Sequence, residues 1–151
     1  LTNQLETDMT VSSAVFSTGQ KQLVCLARAI INQSKVIILD EATANVDVET
    51  DAFIQKTIMR KFKDCTVLTV AHRLITIANY DRVMVIENGQ VVEHNSPYGL
   101  LVDKIGDNEI TNQKGMFAEM VKSTGSSMSK MIFDIAHNHY LSNKDSLLSG
   151  L

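Results

Sequence analysis

No glycine in this chain is followed by Lys-Ser or Lys-Thr. The phosphate-cradling loop G-x-x-x-x-G-K-[ST] is therefore absent from these residues. No apolar run approaches the ~20 residues of a membrane span. The first residues, Leu1-Thr2-Asn3-Gln4, do not form a signal peptide and do not include an initiator Met. Only two cysteines occur, Cys25 and Cys65, with no C-x-x-C spacing. Both lie in apolar segments, so they are expected to be buried free thiols in a reducing compartment. The net charge of -3 offers no basic surface for nucleic acid. No internal repeat is present.

What remains is an ordinary globular composition, 44% hydrophobic and 21% charged over 151 residues. That length suits about one domain. Residues 1–16 are polar and lack periodicity, which suggests a loop with one short helix. Ser17 offers an N-cap side chain. Leu23, Leu26, Ala27, Ile30 and Ile31 then recur at helical spacing, and the helix should end near Asn32. Val36 to Leu39 is a short apolar run, the pattern of a strand covered on both faces. A second helix starts at or near Asp47, with Phe53, Ile54, Ile58 and Phe62 as its buried stripe. Thr66 to Val70 and Arg82 to Ile86 are further strands. Asn88-Gly89 predicts a two-residue hairpin turn, because both positions of a type I′ turn want positive φ. Gln90 to Glu93 returns as a fourth strand, and Pro97 can open a helix. Asp103 to Lys114 is polar and predicts a surface loop. Met116, Phe117, Met120 and Val121 form an amphipathic helix. Ser123 to Ser127 is a flexible joint. Met128, Met131, Ile132 and Ile135 suggest one more helix, with a frayed end from Asn138 to Leu151. Helices alternating with strands imply an α/β fold with a parallel core.

Four short patterns carry possible chemistry. Val36-Ile37-Ile38-Leu39-Asp40-Glu41 places two acids at the carboxyl end of a strand, the edge where open α/β sheets bind ligands. Asp40 is placed to hold Mg²⁺ and Glu41 to polarise an attacking water, a division of labour that suits phosphoryl transfer. The same pattern also fits a strand followed by a helix-capping acid. Phe16-Ser17-Thr18-Gly19-Gln20 sets a hydroxyl and a glycine at a helix start, where N–H groups favour an anion. A plain N-cap explains it as well. His72, in Ala71-His72-Arg73, follows a strand and can reach a γ-phosphate, or serve structure alone. Asp47, in Ala44-Asn45-Val46-Asp47, is by itself a good helix N-terminal acid.

The four together, in this order and spacing, are far more specific. The stretch from about residue 5 to 102 resembles the nucleotide-binding domain of ATP-binding cassette (ABC) proteins. Phe16–Gln20 is similar to their signature motif and Val36–Glu41 to their Walker B segment. Ala44–Asp47 resembles the D-loop and His72 the switch histidine. "QLVCLARAI", "LDEATANVD", "DCTVLTVAHRL" and "YDRVMVIENGQVVEHNSP" most resemble the second such domain of C-subfamily transporters, the multidrug resistance-associated proteins. The presence of Glu41 favours the second domain, since the first commonly lacks this acid in that subfamily. Two features depart from the pattern. Thr18 stands where many ABC proteins have Gly, and Val11 to Val15 lack the acid and glycines that often precede the signature.

The resemblance implies a partial P-loop NTPase fold, a parallel sheet core flanked by helices, missing the N-terminal Walker A portion. Residues 1–102 would be the C-terminal part of the nucleotide-binding domain, 103–122 its loop and terminal amphipathic helix, and 123–151 a partly flexible extension. It implies ATP and Mg as cofactors. Asp40, Glu41 and His72 would serve this domain's own site. Ser17, Thr18, Gly19 and Gln20 would serve the opposite site of a head-to-tail pair, and Asp47 would couple the two. The partners would be a second nucleotide-binding domain and transmembrane domains at the cytoplasmic face of a membrane, expected to be the plasma membrane, with no nucleic acid. The function would be ATP-driven efflux of amphipathic or anionic organic solutes, with the chain by itself inactive and poorly stable. Two alternatives stand beside it. One is a non-catalytic truncated module docking on a partner nucleotide-binding domain. The other is a soluble ABC ATPase, against which Ala42-Thr43 after the acid pair argues, since Pro is frequent there. His137 and His139 do not share a helix face, His94 is expected to be exposed, and the methionines are expected in core or docking contacts.

Overall fold

The computed structural model describes residues 16–40 and 47–149. The loop expected over residues 1–16 lies outside them except for Phe16, and so does Glu41. The chain divides into two compact units, one ending at His72 and the other starting at Arg73.

In the first unit, α1 (Thr18–Asn32) begins on a capping box. Ser17 Oγ accepts from the Gln20 N–H at 3.2 Å, and Gln20 Oε1 accepts from the Ser17 N–H at 2.9 Å. Each side chain satisfies an N–H that the helix start would leave unpaired. The helix ends at Gln33, whose φ of 51° is left-handed and turns the chain sharply. That turn feeds β1 (Val36–Asp40), which runs parallel to β2 (Thr66–Val70) with Val36 opposite Thr66 and Asp40 opposite Val70. Between them α2 (Val48–Lys61) is capped by Asp47, which accepts from the Thr50 N–H at 2.9 Å and the Thr50 hydroxyl at 2.7 Å.

Ile37 and Leu39 of β1 are buried with Ile54, Ile58 and Phe62, and Leu23, Leu26, Ala29 and Ile30 of α1 pack against them. Both helices thus contribute to one face of the parallel pair. The other face is bare: Ile38 is 69% and Val70 54% exposed, with Val36 and Leu68 beside them. The expectation of strands covered on both faces is corrected here. No described element of this unit lies over the second face. Two further expectations change. Phe53 is 66% exposed, because it sits one residue off the Ile54–Ile58–Phe62 spacing that faces β1. Cys25 is exposed, and Cys65 is half-buried with its thiol donating to the Ser34 carbonyl at 3.2 Å.

The second unit holds α3 (Leu74–Ile77), the antiparallel strands β3 (Val83–Glu87) and β4 (Gln90–Asn95), then α4 (Pro97–Leu101), α5 (Met116–Ser123) and α6 (Ser126–Ser149). Asn88 and Gly89 have φ of 50° and 77°, the paired positive values the turn sequence predicts. Tyr98, Leu101, Phe117, Val121, Ile132 and Phe133 form one closed core. Each such side chain contributes about 1.5–3 kcal/mol when fully buried. The Tyr98 hydroxyl donates to the Asp107 carbonyl and accepts from the Gly106 N–H, both at 2.9 Å. This pins the polar loop after α4. Glu93 of β4 accepts from the Met116 N–H at 2.7 Å and the Phe117 N–H at 2.9 Å. A carboxylate there offsets the positive end of α5 as well as satisfying its orphan donors.

Helix α6 runs 24 residues, so the end does not fray at Asn138 as the sequence suggests. Its buried face is Ser129, Ile132, Phe133 and Ala136, at helical spacing. Met128 and Met131 are exposed. His137 stacks on Tyr98 with ring centroids 4.7 Å apart.

Candidate functional site

Asp40 is the last residue of β1 and is exposed. Its register partner is Val70, the last residue of β2, and His72 follows two residues later. The parallel pairing therefore brings the backbones of Asp40 and His72 to one carboxyl edge. A parallel sheet aligns all its strand ends, so groups that must act on one ligand can come from distant parts of the chain. Asp40 lies on the bare face, in line with Ile38 and across from Val70.

Beside β1 is an open, mostly apolar groove of about 360 Å³. Lys21, Gln22 and Cys25 of α1 line it together with Ile37 to Asp40 and Ile54. β1 pairs with β2 alone among the described strands, so its other edge faces no described strand. Sequence reasoning missed Lys21 and Gln22 as neighbours of Asp40. The signal was available in their position, directly after the capping box on the helix that packs against β1.

The Ser17–Gln20 turn does not line that groove. Ser17 and Gln20 are committed to each other in the capping box, and Gly19 is buried in the first turn. Helix geometry leaves the Thr18 and Gly19 N–H groups without an intrahelical acceptor. The Thr18 side chain is outside the described atoms. Asp47 is engaged as the cap of α2, and Glu41 with Ala44 to Val46 lies outside the described residues. Asp40 fits a Mg²⁺ site. Mg²⁺ is commonly bound through one or two carboxylates plus substrate phosphates and waters, so a single exposed carboxylate suffices from the protein. Among the described residues no cluster of three or more His, Cys, Asp or Glu exists that would form an all-protein cage.

The family model for the ABC transporter matches residues 1–44. ATP-binding cassette sub-family C member 4 of Homo sapiens is 43% identical over 140 residues, 93% of this chain and 10% of that protein. The probable multidrug resistance-associated protein lethal(2)03659 of Drosophila melanogaster is 56% identical over 102 residues, 66% of this chain and 7% of that protein. ATP-binding cassette sub-family C member 2 of Rattus norvegicus is 45% identical over 121 residues, 80% of this chain and 7% of that protein. The chain belongs to the ABC transporter family, in its C subfamily. It spans a tenth or less of the length of these relatives. Membership implies the P-loop NTPase fold, and the parallel pairing of β1 and β2 with flanking helices agrees with it. No described helix is long and apolar enough to cross a membrane.

Proposed function

We propose that this chain is the C-terminal part of a nucleotide-binding domain, the second of its transporter, in an ATP-driven exporter of amphipathic or anionic organic solutes. Asp40 would hold Mg²⁺, which would supply charge neutralisation at the terminal phosphates. Glu41 accepts a proton from the attacking water as the bond between the γ-phosphorus and the bridging oxygen breaks. His72 donates to the γ-phosphate. Ser17, Thr18, Gly19 and Gln20 close on a second ATP held by the opposite nucleotide-binding domain, and Asp47 couples the two sites. Closure of both pulls on transmembrane domains, at the cytoplasmic face of what we take to be the plasma membrane. Residues 1–102 belong to the nucleotide-binding domain proper, 103–122 to its loop and terminal helix, and 123–151 to an extension.

The observation that carries this reading is the shared carboxyl edge of Asp40 and the His72 backbone in a C-subfamily chain. The unpaired edge of β1 and the groove beside it support the further step that another strand, with its phosphate-binding loop, completes the sheet. The bare face of Val36, Ile38, Leu68 and Val70 supports the same step. The test is Glu41→Gln in the natural protein that carries this chain. Turnover should fall at least about 100-fold with ATP binding retained, the loss expected for a general base. Unchanged turnover would refute the assignment. The chain alone should not hydrolyse Mg-ATP at a useful rate.

A further inference from the structure

A polar cleft of about 260 Å³ lies between α6 and the turn that precedes β3. Asp81, Arg82 and Asn95 line one side, and His139, Asn143 and Lys144 of α6 line the other. Its one carboxylate, Asp81, is engaged through one oxygen, with the side chain 87% exposed. Asp81 Oδ1 meets His139 Nε2 at 3.3 Å and Asn143 Nδ2 at 3.4 Å, while Asn143 Nδ2 meets His139 Nε2 at 3.0 Å. His139 and Asn143 stand one helical turn apart, which lets both reach the same acid. The two permanent cations are differently placed. Arg82 makes only a 3.5 Å contact to Asn95 Oδ1, an oxygen that also accepts from the Ser96 N–H at 2.8 Å. Neither Arg82 nor Lys144 has a carboxylate partner among the described residues.

We propose that this cleft binds a small tetrahedral oxyanion, the phosphoryl group of a soluble phosphate monoester, through Arg82 and Lys144. The planar guanidinium fork matches two oxygens of such a group, and the Lys144 ammonium adds a point charge. The Asn143 amide and the His139 ring complete the wall. The charge count of the lining favours an anion, two permanent cations, Arg82 and Lys144, against the one carboxylate of Asp81. Ser96 and Pro97 at the start of α4 and Tyr140 of α6 line the remainder of the cleft.

The test titrates the isotopically labelled whole chain with sodium sulfate, against sodium chloride at equal ionic strength, following the His139 ring and Asn143 amide signals by NMR. Saturable shifts are expected at both. R82Q and K144Q should each raise the apparent Kd about tenfold or more, the loss of one charge-assisted hydrogen bond. K130Q, on the same helix but outside the cleft, should leave it unchanged. Glycerol phosphate should displace sulfate. Vesicles of phosphatidylcholine with phosphatidic acid should retain no more chain than phosphatidylcholine alone; extra retention that K144Q abolishes would support the site but make its ligand a lipid headgroup. Shifts that do not saturate, or that persist undiminished in both R82Q and K144Q, would overturn the proposal. Lys144 is exposed, so K144Q keeps the test valid even if R82Q fails to fold.

Discussion

The two units of this chain differ in how they treat their apolar side chains. The unit from Arg73 closes around itself: Tyr98, Leu101, Phe117, Val121 and Ile132 leave almost no surface to water. The unit up to His72 buries one face of its parallel pair and leaves Val36, Ile38, Leu68 and Val70 open. The first arrangement is a finished core. The second is covered on one face only, whereas a parallel sheet is ordinarily covered on both. The candidate chemistry sits in the half that is open. That is the expected location if the ligand and the remaining elements of the domain approach from that side.

The contrast can be tested by substitution. The largest effect should come from Phe117→Ala or Ile132→Ala, which empty the closed core. We expect a loss of about 2–5 kcal/mol in denaturant unfolding of the second unit. In the first unit, Ile37→Ala on the covered face should cost about 2–4 kcal/mol. Ile38→Ala on the bare face should cost less than about 0.5 kcal/mol in the chain alone and several times more in the natural protein. Equal costs for the two in the chain alone would mean that the faces do not differ. Glu93→Gln weakens the clamp on α5 and should cost about 1–2 kcal/mol, read as faster amide exchange at Met116 and Phe117. Ser17→Ala removes half of the capping box and should cost about 1 kcal/mol, with fraying confined to the first turn of α1. The smallest change should be a gain. Gln33→Gly relieves a left-handed non-glycine residue and should raise stability by about 0.5–1 kcal/mol.

Much of this was readable from the amino acids. Ser17 and Gln20 sit three apart before an apolar stripe, and they form the capping box. Asn88-Gly89 forms the positive-φ turn. The failures share a cause: packing selects shape as well as polarity. On α6 the helix expected from Met128, Met131, Ile132 and Ile135 is present; Ile132 is core, Met128 and Met131 are exposed, and Ser129, Phe133 and Ala136 complete the buried face. On α2 the expected buried stripe included Phe53, although the spacing of Ile54, Ile58 and Phe62 excludes it. The bare face of β1 could not be read from Val36 to Leu39, because a continuous apolar run says what a strand prefers and not what surrounds it. The placement of Asp40 and His72 at strand ends was legible. The register that aligns Asp40 with Val70 was not, since it is set by long-range pairing. The cleft at Arg82 and Lys144 also depends on long-range packing, here of α6 against the turn before β3.

The central claim is that the open edge of β1 and β2 is half of an ATP-hydrolysing site. The most direct measurement is ATP turnover and nucleotide binding in the natural protein with Glu41→Gln and, separately, His72→Ala. The account predicts that both variants bind ATP and that turnover falls at least about 100-fold in the Glu41 variant and markedly in the His72 variant. Wild-type turnover in both would contradict it.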